Sequence, residues 1–260
     1  MPDVNDAGAG RHAVGAAAAC LWMLVIATPA AAAGTDPVPM QRVGNIEIDR
    51  TEVTIGAFAR FVKATGAVTA AERAGGGSTY EGGWVKRAGW TWRAPYGTPG
   101  ADDEPVVHVD HAEATAYCHW AGKRLPTDAE WGEAAYTERR ETPTDGFETG
   151  RTYRYPTGDT PAGANCLGDC PPAPAVAHAD TSRGRGHAPV GATARGVNGL
   201  FDMGANVWEW VAQDDTAMPR TRGGSWWYGA QMMTDAHVAR KPANMSAVYI
   251  GFRCVRDAGG

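Results

Sequence analysis

The middle of the chain contains the stretch AYCHWAGKRLPTDAEW, residues 116–131, in which a turn joins two helix patterns. The first pattern starts at Asp110, an N-cap residue, and Glu113 follows three positions later. Thr127 and Glu130 repeat this spacing at the start of the second pattern. The spacing is typical of the capping box, in which two side chains satisfy backbone N–H groups at a helix start. The stretch therefore predicts two short helices, one on each side of the turn.

Outside this stretch the sequence indicates short elements rather than long helices. Thr54 is an N-cap candidate, and the apolar helical face that follows it ends at Gly66. Residues 67–105 are rich in Gly and Trp and lack periodicity, which predicts an ordered loop. The strand candidates are an edge strand at 44–48 and strands at 105–109, 201–203, 207–211 and 250–254. This pattern predicts one loop-rich α+β domain.

Composition and charge argue against two classes of partner. Hydrophobic residues form 43% of the 260 residues, which is enough for a sizeable core. The net charge is -5 and no basic cluster is present, so nucleic acid is not an expected partner. A basic amphipathic helix suited to a membrane surface is also absent from the sequence.

The N-terminus has the pattern of a secretory signal. An apolar run from Ala13 to Ala27 is followed by an Ala-x-Ala motif, with cleavage expected after Ala33. The run is too short to predict a stable membrane span after cleavage. We therefore interpret residues 1–33 as a signal peptide and residues 34–260 as the mature domain, and we expect a periplasmic or secreted protein.

Export explains the use of cysteine. Cys20 would leave with the signal peptide, and Cys118, Cys166, Cys170 and Cys254 would remain. An even number in an oxidising compartment predicts two disulfides, and four cysteines allow three pairings. The short spacing between Cys166 and Cys170 can close a tight loop, which would leave Cys118 to pair with Cys254.

Several further segments resemble the formylglycine-generating enzyme family, also called sulfatase-modifying-factor domains. With the central stretch they are, in the family's order, EVT at 52–54, PVVHVD at 105–110, APVG at 188–191, NGLFDM at 198–203, NVWEW at 206–210, RGGSW at 222–226 and GFR at 251–253. Together they span residues 43–256. The resemblance implies a C-type-lectin-like variant fold in a single domain, and also the disulfide between Cys118 and Cys254.

The resemblance also implies structural calcium. Asn206 and Glu209 offer side-chain oxygens, and Ala205 and Val207 offer carbonyl oxygens from the same turn, which are the ligands that calcium prefers. Alternatively, Asn206 caps a turn and Glu209 pairs with Arg124 or Arg253. A second calcium site of the family would use Asn165.

The chain departs from the family at the copper site. The copper-dependent enzymes carry two cysteines in the segment that follows Gly-Gly-Ser, and two thiolates suit Cu(I). Tyr228 and Met233 stand at those positions here, and no cysteine occurs between Cys170 and Cys254. Copper is therefore not an expected cofactor, and formylglycine generation on sulfatases is not expected either. The identity of any other redox metal stays open.

The segment after Gly-Gly-Ser still matches the family's substrate groove. Trp226, Trp227 and Arg240 would line it, and paired Trp beside Ser and Tyr would suit a peptide or small-molecule ligand. If the protein is catalytic, Ser225 and Tyr228 are the candidates for proton transfer or oxygen positioning. We expect an oxidoreductase-like enzyme or maturation factor that resembles the branch acting on a siderophore chromophore. The alternative is a noncatalytic binding or accessory module that uses the same groove.

Overall fold

The computed structural model describes residues 38–170, 176–177, 184–212 and 218–259, so the expected signal peptide lies outside it. Its α-helices are α1 (Ile55–Thr65), α2 (Ala70–Arg73), α3 (His111–Trp120) and α4 (Asp128–Tyr136). Its strands are β1 (Met40–Val43), β2 (Ile46–Asp49), β3 (Gly76–Tyr80), β4 (Trp84–Ala88), β5 (Val176–Ala177), β6 (Arg185–Gly186), β7 (Trp208–Trp210), β8 (Arg220–Arg222), β9 (Ala239–Arg240), β10 (Ile250–Phe252) and β11 (Val255–Asp257). Single-turn 3-10 helices lie at Val197–Gly199 and Ala230–Met233.

Two sheets bring distant parts of the chain together. One has the order β1-β2-β11 and joins the first strands of the domain to its last strand. The other has the order β10-β7-β8-β9, with β10 parallel to β7 and the other pairs antiparallel. Strand β7 is fully buried within this sheet, as expected for a strand with neighbours on both sides.

The edge strand expected at 44–48 is wrong in its position. Gly44 forms the turn between β1 and β2 with a positive φ of 58°, a conformation that glycine adopts at low cost. Strand β2 is central, because β11 pairs with its other side. The sequence around β2 does not reveal that partner, since β11 lies about two hundred residues further along the chain.

The three expected helices are confirmed with their caps. The Thr54 side chain accepts from the N–H of Ala57, and Gly66 ends α1 in the left-handed conformation. A capping box begins each of the other two helices, formed by Asp110 with Glu113 at α3 and by Thr127 with Glu130 at α4. In the turn before α4, Arg124 donates to both carboxylate oxygens of Glu130 at 2.7 Å.

Two other local predictions are wrong. Residues 67–105 contain α2 and the β3–β4 hairpin rather than only loop. Residues 105–109 form an extended buried segment with only an isolated bridge between Pro105 and Thr54, and 201–203 is a series of bends. Val106, Val107 and Val109 are nevertheless fully buried, so their apolar character reflects core packing rather than strand pairing.

Both expected disulfides are present. Cys118 on α3 is bonded to Cys254, which lies between β10 and β11, and Cys166 is bonded to Cys170. The first disulfide ties the main core to the end of the domain. The main core contains the aromatic side chains Phe58, Trp92, Tyr117, Trp208, Trp210, Trp226, Tyr249 and Phe252.

Within the part of the chain that the structure describes, no helix combines the length and apolar character needed to cross a bilayer.

Candidate functional site

The RGGSW motif turns the chain sharply after β8. Gly223 and Gly224 both have positive φ, at 92° and 81°. A Cβ atom on Gly223 would lie 2.8 Å from the carbonyl oxygen of Met203, so a larger residue would have to displace that backbone. The N–H of Ala205 donates to the Gly223 carbonyl at 2.7 Å, which ties the motif to the NVWEW turn.

The turn places Ser225 and Trp226 in the core. Both side chains are fully buried, and the Ser225 hydroxyl accepts from the N–H of Trp227 at 3.4 Å. The N–H of Trp226 donates to the Asn206 carbonyl at 2.9 Å. In this structure the two residues shape the turn and do not contact solvent. Their predicted roles in catalysis and in lining a groove stay predictions.

Tyr228, by contrast, belongs to a continuous run of packed aromatic rings that leads from the surface into the core. This run, which we call the aromatic strip, consists of the exposed Tyr80 and Trp84, the half-buried Tyr228 and the buried Tyr249, Trp227 and Trp208. At one end Tyr80 and Trp84 face each other across the β3–β4 hairpin with ring centroids 5.7 Å apart, and they are 39% and 52% exposed. Large exposed aromatic side chains of this kind are typical of binding surfaces.

Tyr249 lies at the centre of the aromatic strip. Its ring centroid is 6.1 Å from Trp84, 6.4 Å from Trp227 and 6.1 Å from Tyr228. Burial raises the pKa of Tyr249, and the neighbouring Tyr228 phenol raises it further. Tyr249 therefore stays protonated at neutral pH and can act as a hydrogen-bond donor.

The other end of the strip carries two basic side chains. Trp208 packs edge-on against Tyr228 at 5.7 Å, and the His237 ring centroid lies 5.9 Å from Trp208. The Nζ atom of Lys241 lies 4.8 Å from the Trp208 ring centroid. Burial lowers the pKa of Lys241 to about 8. The sequence analysis did not identify Tyr249, His237 or Lys241 as site residues.

The predicted groove residue Arg240 is exposed. It lies in β9 opposite Arg220, and its Nη1 atom donates to the Met218 carbonyl at 2.9 Å. Its position next to Lys241 in the chain places it near the basic end of the strip.

Met233, which the sequence analysis matched to the second copper-binding cysteine of the family, lies away from solvent. Met233 is fully buried, and its Sδ atom lies 3.8 Å from the Sγ atom of Cys170. The N–H of Leu167 donates to the Tyr228 carbonyl at 2.9 Å. The Cys166–Cys170 loop therefore packs against the segment that carries cysteine pairs in the copper enzymes.

The predicted calcium ligand Asn206 is fully hydrogen-bonded within the protein. Its Oδ1 atom accepts from the Asn165 side chain at 3.0 Å and from the N–H of Ala188 at 2.8 Å. Its Nδ2 atom donates to Glu52 at 3.1 Å. The Asn165 Oδ1 atom, expected at a second calcium site, accepts from the Arg185 guanidinium at 2.6 Å.

Glu209 lies in a buried group of charged side chains. Its carboxylate accepts from Arg253 at both oxygens and from the indole N–H of Trp131 at 2.7 Å. Burial raises the pKa of Glu52 well above its usual value, and the charges of Asp202 and Glu209 raise it further. Burial also raises the pKa of Asp202, against hydrogen bonds from Gly191 and Thr193. Three buried carboxyl groups thus surround one guanidinium.

These carboxyl groups fit a hard cation in part. Ala205 and Val207, whose carbonyl oxygens were predicted as calcium ligands, lie between Asp202 and Glu209 in the chain. The turn in this segment is tight, because Ala205 and Asn206 both have positive φ. Among the described residues, no group of three or more His, Cys, Asp or Glu side chains has metal-binding geometry. A calcium ion here would therefore need the backbone carbonyls as well as Asp202 and Glu209. Sequence reasoning missed Asp202, although it lies within the NGLFDM motif.

A separate cleft of about 660 Å³ lies along the outer face of α3. Its lining includes His111, Thr115, His119, Arg124 and Ala212. The Nε2 atom of His111 is 2.9 Å from the Val211 carbonyl, and His119 is exposed two turns away. None of the predicted catalytic or groove residues lines this cleft.

Comparison with known proteins places these features in context. A family model described as the sulfatase-modifying factor enzyme 1-like domain matches residues 10–258. A formylglycine-generating enzyme from Streptomyces coelicolor is 34% identical over 86% of this chain and 82% of its own length. An inactive C-alpha-formylglycine-generating enzyme 2 from Bos taurus is also 34% identical, over 65% of this chain and 56% of its own length.

A solved structure matches the fold. PvdO from Pseudomonas aeruginosa aligns with a TM-score of 0.55 and 22% identity, over 82% of this chain and 80% of that protein. The predicted loop-rich α+β fold of the C-type-lectin-like variant type is thereby confirmed.

Proposed function

Because the chain belongs to the sulfatase-modifying factor enzyme 1-like domain family, we propose that it is an exported oxidoreductase-like enzyme or maturation factor acting on a peptide or small molecule. Its substrate binds on the aromatic strip, next to Tyr228. The mature protein works in the periplasm or outside the cell, where its disulfides persist.

The observation that carries this proposal is the replacement of the thiol pair on an intact scaffold. Every cysteine among the described residues is in a disulfide. Tyr228 and Met233 stand where thiolates would bind Cu(I), and Met233 is fully buried. We therefore propose chemistry that does not use a copper–thiolate centre, and we expect no conversion of a Cys-x-Pro-x-Arg sulfatase peptide.

Tyr228 is the residue best placed to act on a bound substrate. It is half-buried, whereas the other catalytic candidate, Ser225, is fully buried. The Tyr249 phenol beside it stays protonated, which gives a pair of hydroxyl groups that can hold or pass a proton. Trp84, which is 52% exposed, offers flat apolar surface for the ligand.

The test measures oxygen uptake by the full mature protein with candidate thiol, peptide and catechol substrates, together with its metal content. Removing the phenol in Tyr228→Phe should reduce turnover about 100-fold, as expected for loss of a proton-transfer group. Tyr153→Phe is the control, because the Tyr153 hydroxyl accepts from the Glu148 N–H in a separate loop. Absence of both turnover and a bound redox metal would contradict the enzymatic proposal.

A noncatalytic binding module is the second candidate. The full burial of Ser225 and the similarity to a relative described as inactive favour it. If a ligand binds on the aromatic strip but none of the thiol, peptide and catechol substrates causes oxygen uptake, the protein is a binding module rather than an enzyme.

We also propose that the scaffold holds structural calcium. The ligands are the carboxylates of Asp202 and Glu209 with the carbonyl oxygens of Ala205 and Val207. The support is electrostatic. Glu52, Asp202 and Glu209 repel one another, and the single charge of Arg253 offsets only part of this repulsion, so a divalent cation would offset more of it. The side-chain oxygens of Asn206, Asp202 and Glu209 all accept hydrogen bonds within the protein, so a bound calcium ion would have to share or displace these bonds.

A further inference from the structure

The basic end of the aromatic strip contains a lysine, Lys241, that has no counter-ion among the residues that the structure describes. The side chain of Lys241 is half-buried, and its ammonium forms no hydrogen bond or ion pair with any described residue. Its Nζ atom instead lies 4.8 Å from the ring centroid of Trp208, a cation–π contact. Partly buried ammonium groups usually have an anionic partner, because desolvating an unpaired charge is costly.

The groups next to Lys241 do not neutralise its charge. His237 lies against the same indole. The nearby Arg222 is already paired with Asp235 and with Asp128. The carboxylates close to this corner are thus engaged by arginines, and none of those in the described ranges pairs with Lys241.

We propose that Lys241 and His237 form a subsite on Trp208 for the carboxylate of a ligand whose aromatic part lies on the aromatic strip. This inference rests on the proposed function, in which the strip binds the substrate. It narrows the substrate class to aromatic carboxylates, including peptides or small molecules with such a group.

A carboxylate fits the subsite better than a phosphate does. Lys241 supplies one compact positive charge, whereas the nearby Arg222 guanidinium is already engaged by Asp235 and by the His237 carbonyl. The indole N–H of Trp208 is buried and has no acceptor among the described residues. An acceptor oxygen at the edge of that ring would satisfy it, which two carboxylate oxygens near Lys241 allow.

The flat part of the ligand has its own contacts next to this charge. Tyr228 packs against Trp208 on one side and Tyr249 on the other, so the phenol ring links the charged end to the rest of the strip. Tyr228 and Lys241 both contact Trp208, so a ligand ring near Tyr228 and a carboxylate near Lys241 would share the same indole. This geometry joins an apolar contact to a single ion pair, which gives both affinity and orientation.

The test compares 4-hydroxyphenylacetate with 4-hydroxyphenylacetamide, which share a ring and differ in charge. Binding to the full mature protein is measured by ligand-observed NMR titration. We expect the wild type to bind the carboxylate about tenfold more tightly than the amide, and high salt to reduce this preference. Lys241→Met should abolish the preference, whereas Lys241→Arg should retain it.

Lys63→Met is the matched control, since Lys63 is an exposed lysine in the last turn of α1 and should leave the preference unchanged. Equal binding of the two probes to the wild type would overturn the subsite and leave the strip as a ligand site. Failure of both probes to bind would overturn the subsite and also count against the proposed function. A preference that survives Lys241→Met would overturn the assignment to Lys241.

A second readout tests whether His237 shares the subsite. Burial lowers the pKa of His237, and the charges of Lys241 and Arg222 lower it further. NMR titration should therefore show a higher His237 pKa in Lys241→Met than in wild type, and also a higher one when wild type is saturated with 4-hydroxyphenylacetate. An unchanged His237 pKa in the saturated wild type would overturn its place in the subsite.

Discussion

Arg253 and Glu209 form a fully buried ion pair, with Nε–Oε2 and Nη2–Oε1 distances of 2.8 and 2.7 Å. The same guanidinium donates to the carbonyl oxygens of Asp49 and Phe201 at 3.0 and 2.9 Å. Arg253 thus links its own segment, between β10 and β11, to β7, to Asp49 in β2 and to the bend at Phe201. The strands of this fold are only two to five residues long, so side-chain links of this kind supplement the backbone pairing. From the sequence alone, pairing of Glu209 with Arg253 was the alternative to calcium binding by Glu209.

Arg253→Met should destabilise the protein by about 3 to 5 kcal/mol, because the Glu209 carboxylate would remain buried without its partner. The free energy of unfolding in urea measures this. Arg256→Met is the control, since Arg256 forms an exposed pair with Glu47, and it should cost about 1 kcal/mol or less. Equal effects of the two substitutions would show that burial does not set the strength of the first pair.

The two disulfides should differ in their contribution to stability. Cys118 and Cys254 are separated by 136 residues, and Cys166 and Cys170 by 4. In the loop-entropy model these closures contribute about 5 and about 2 kcal/mol, respectively. Paired Cys→Ala variants and thermal melts would measure the difference. A larger loss on removal of the short loop would point instead to its packing against Met233.

Calcium chelation should lower the melting temperature of the purified protein, and added calcium should restore it. Asp202→Asn should reduce this response to chelator, because it removes one of the two proposed carboxylate ligands. Asp257→Asn is the control, since Asp257 is an exposed partner of Arg124 and should leave the response intact. If chelator leaves the melting temperature of the wild type unchanged, the calcium proposal is wrong.

Stability should fall as the pH falls below 6.5, with His108 as one cause. Burial lowers the pKa of His108 from 6.5 to about 4, so the folded protein keeps the ring neutral where the unfolded chain binds a proton. The difference amounts to about 3 kcal/mol of stability, present above pH 6.5 and lost progressively toward pH 4.

His108→Asn should flatten this pH dependence. Asparagine tolerates the positive φ of 57° at this position, so the backbone can be kept. Urea unfolding between pH 4 and pH 7 would measure the slope, with His119→Asn as an exposed control. An unaltered slope in His108→Asn would assign the acid sensitivity to other groups.

Local sequence patterns predicted the features that depend on neighbours within a few residues. The helix starts at Thr54, Asp110 and Thr127 were correct, because a cap is formed by side chains three positions apart. The β3–β4 hairpin was missed, since glycines at its start hide the alternation of a strand. Gly77 is required there because a Cβ atom would lie 2.0 Å from the ring of His108, a contact that no local pattern reveals.

The sequence by itself indicated the family and the helix caps, and it showed that no cysteine lies between Cys170 and Cys254, while its cysteines allowed three pairings. Only the tertiary structure decided which cysteines pair, that Ser225 is buried, and that Tyr228, Tyr249 and Lys241 are joined by one run of aromatic rings. The reason is physical: a motif states which side chains are available, whereas exposure and charge pairing depend on segments that are far apart in the chain and meet only when the core packs.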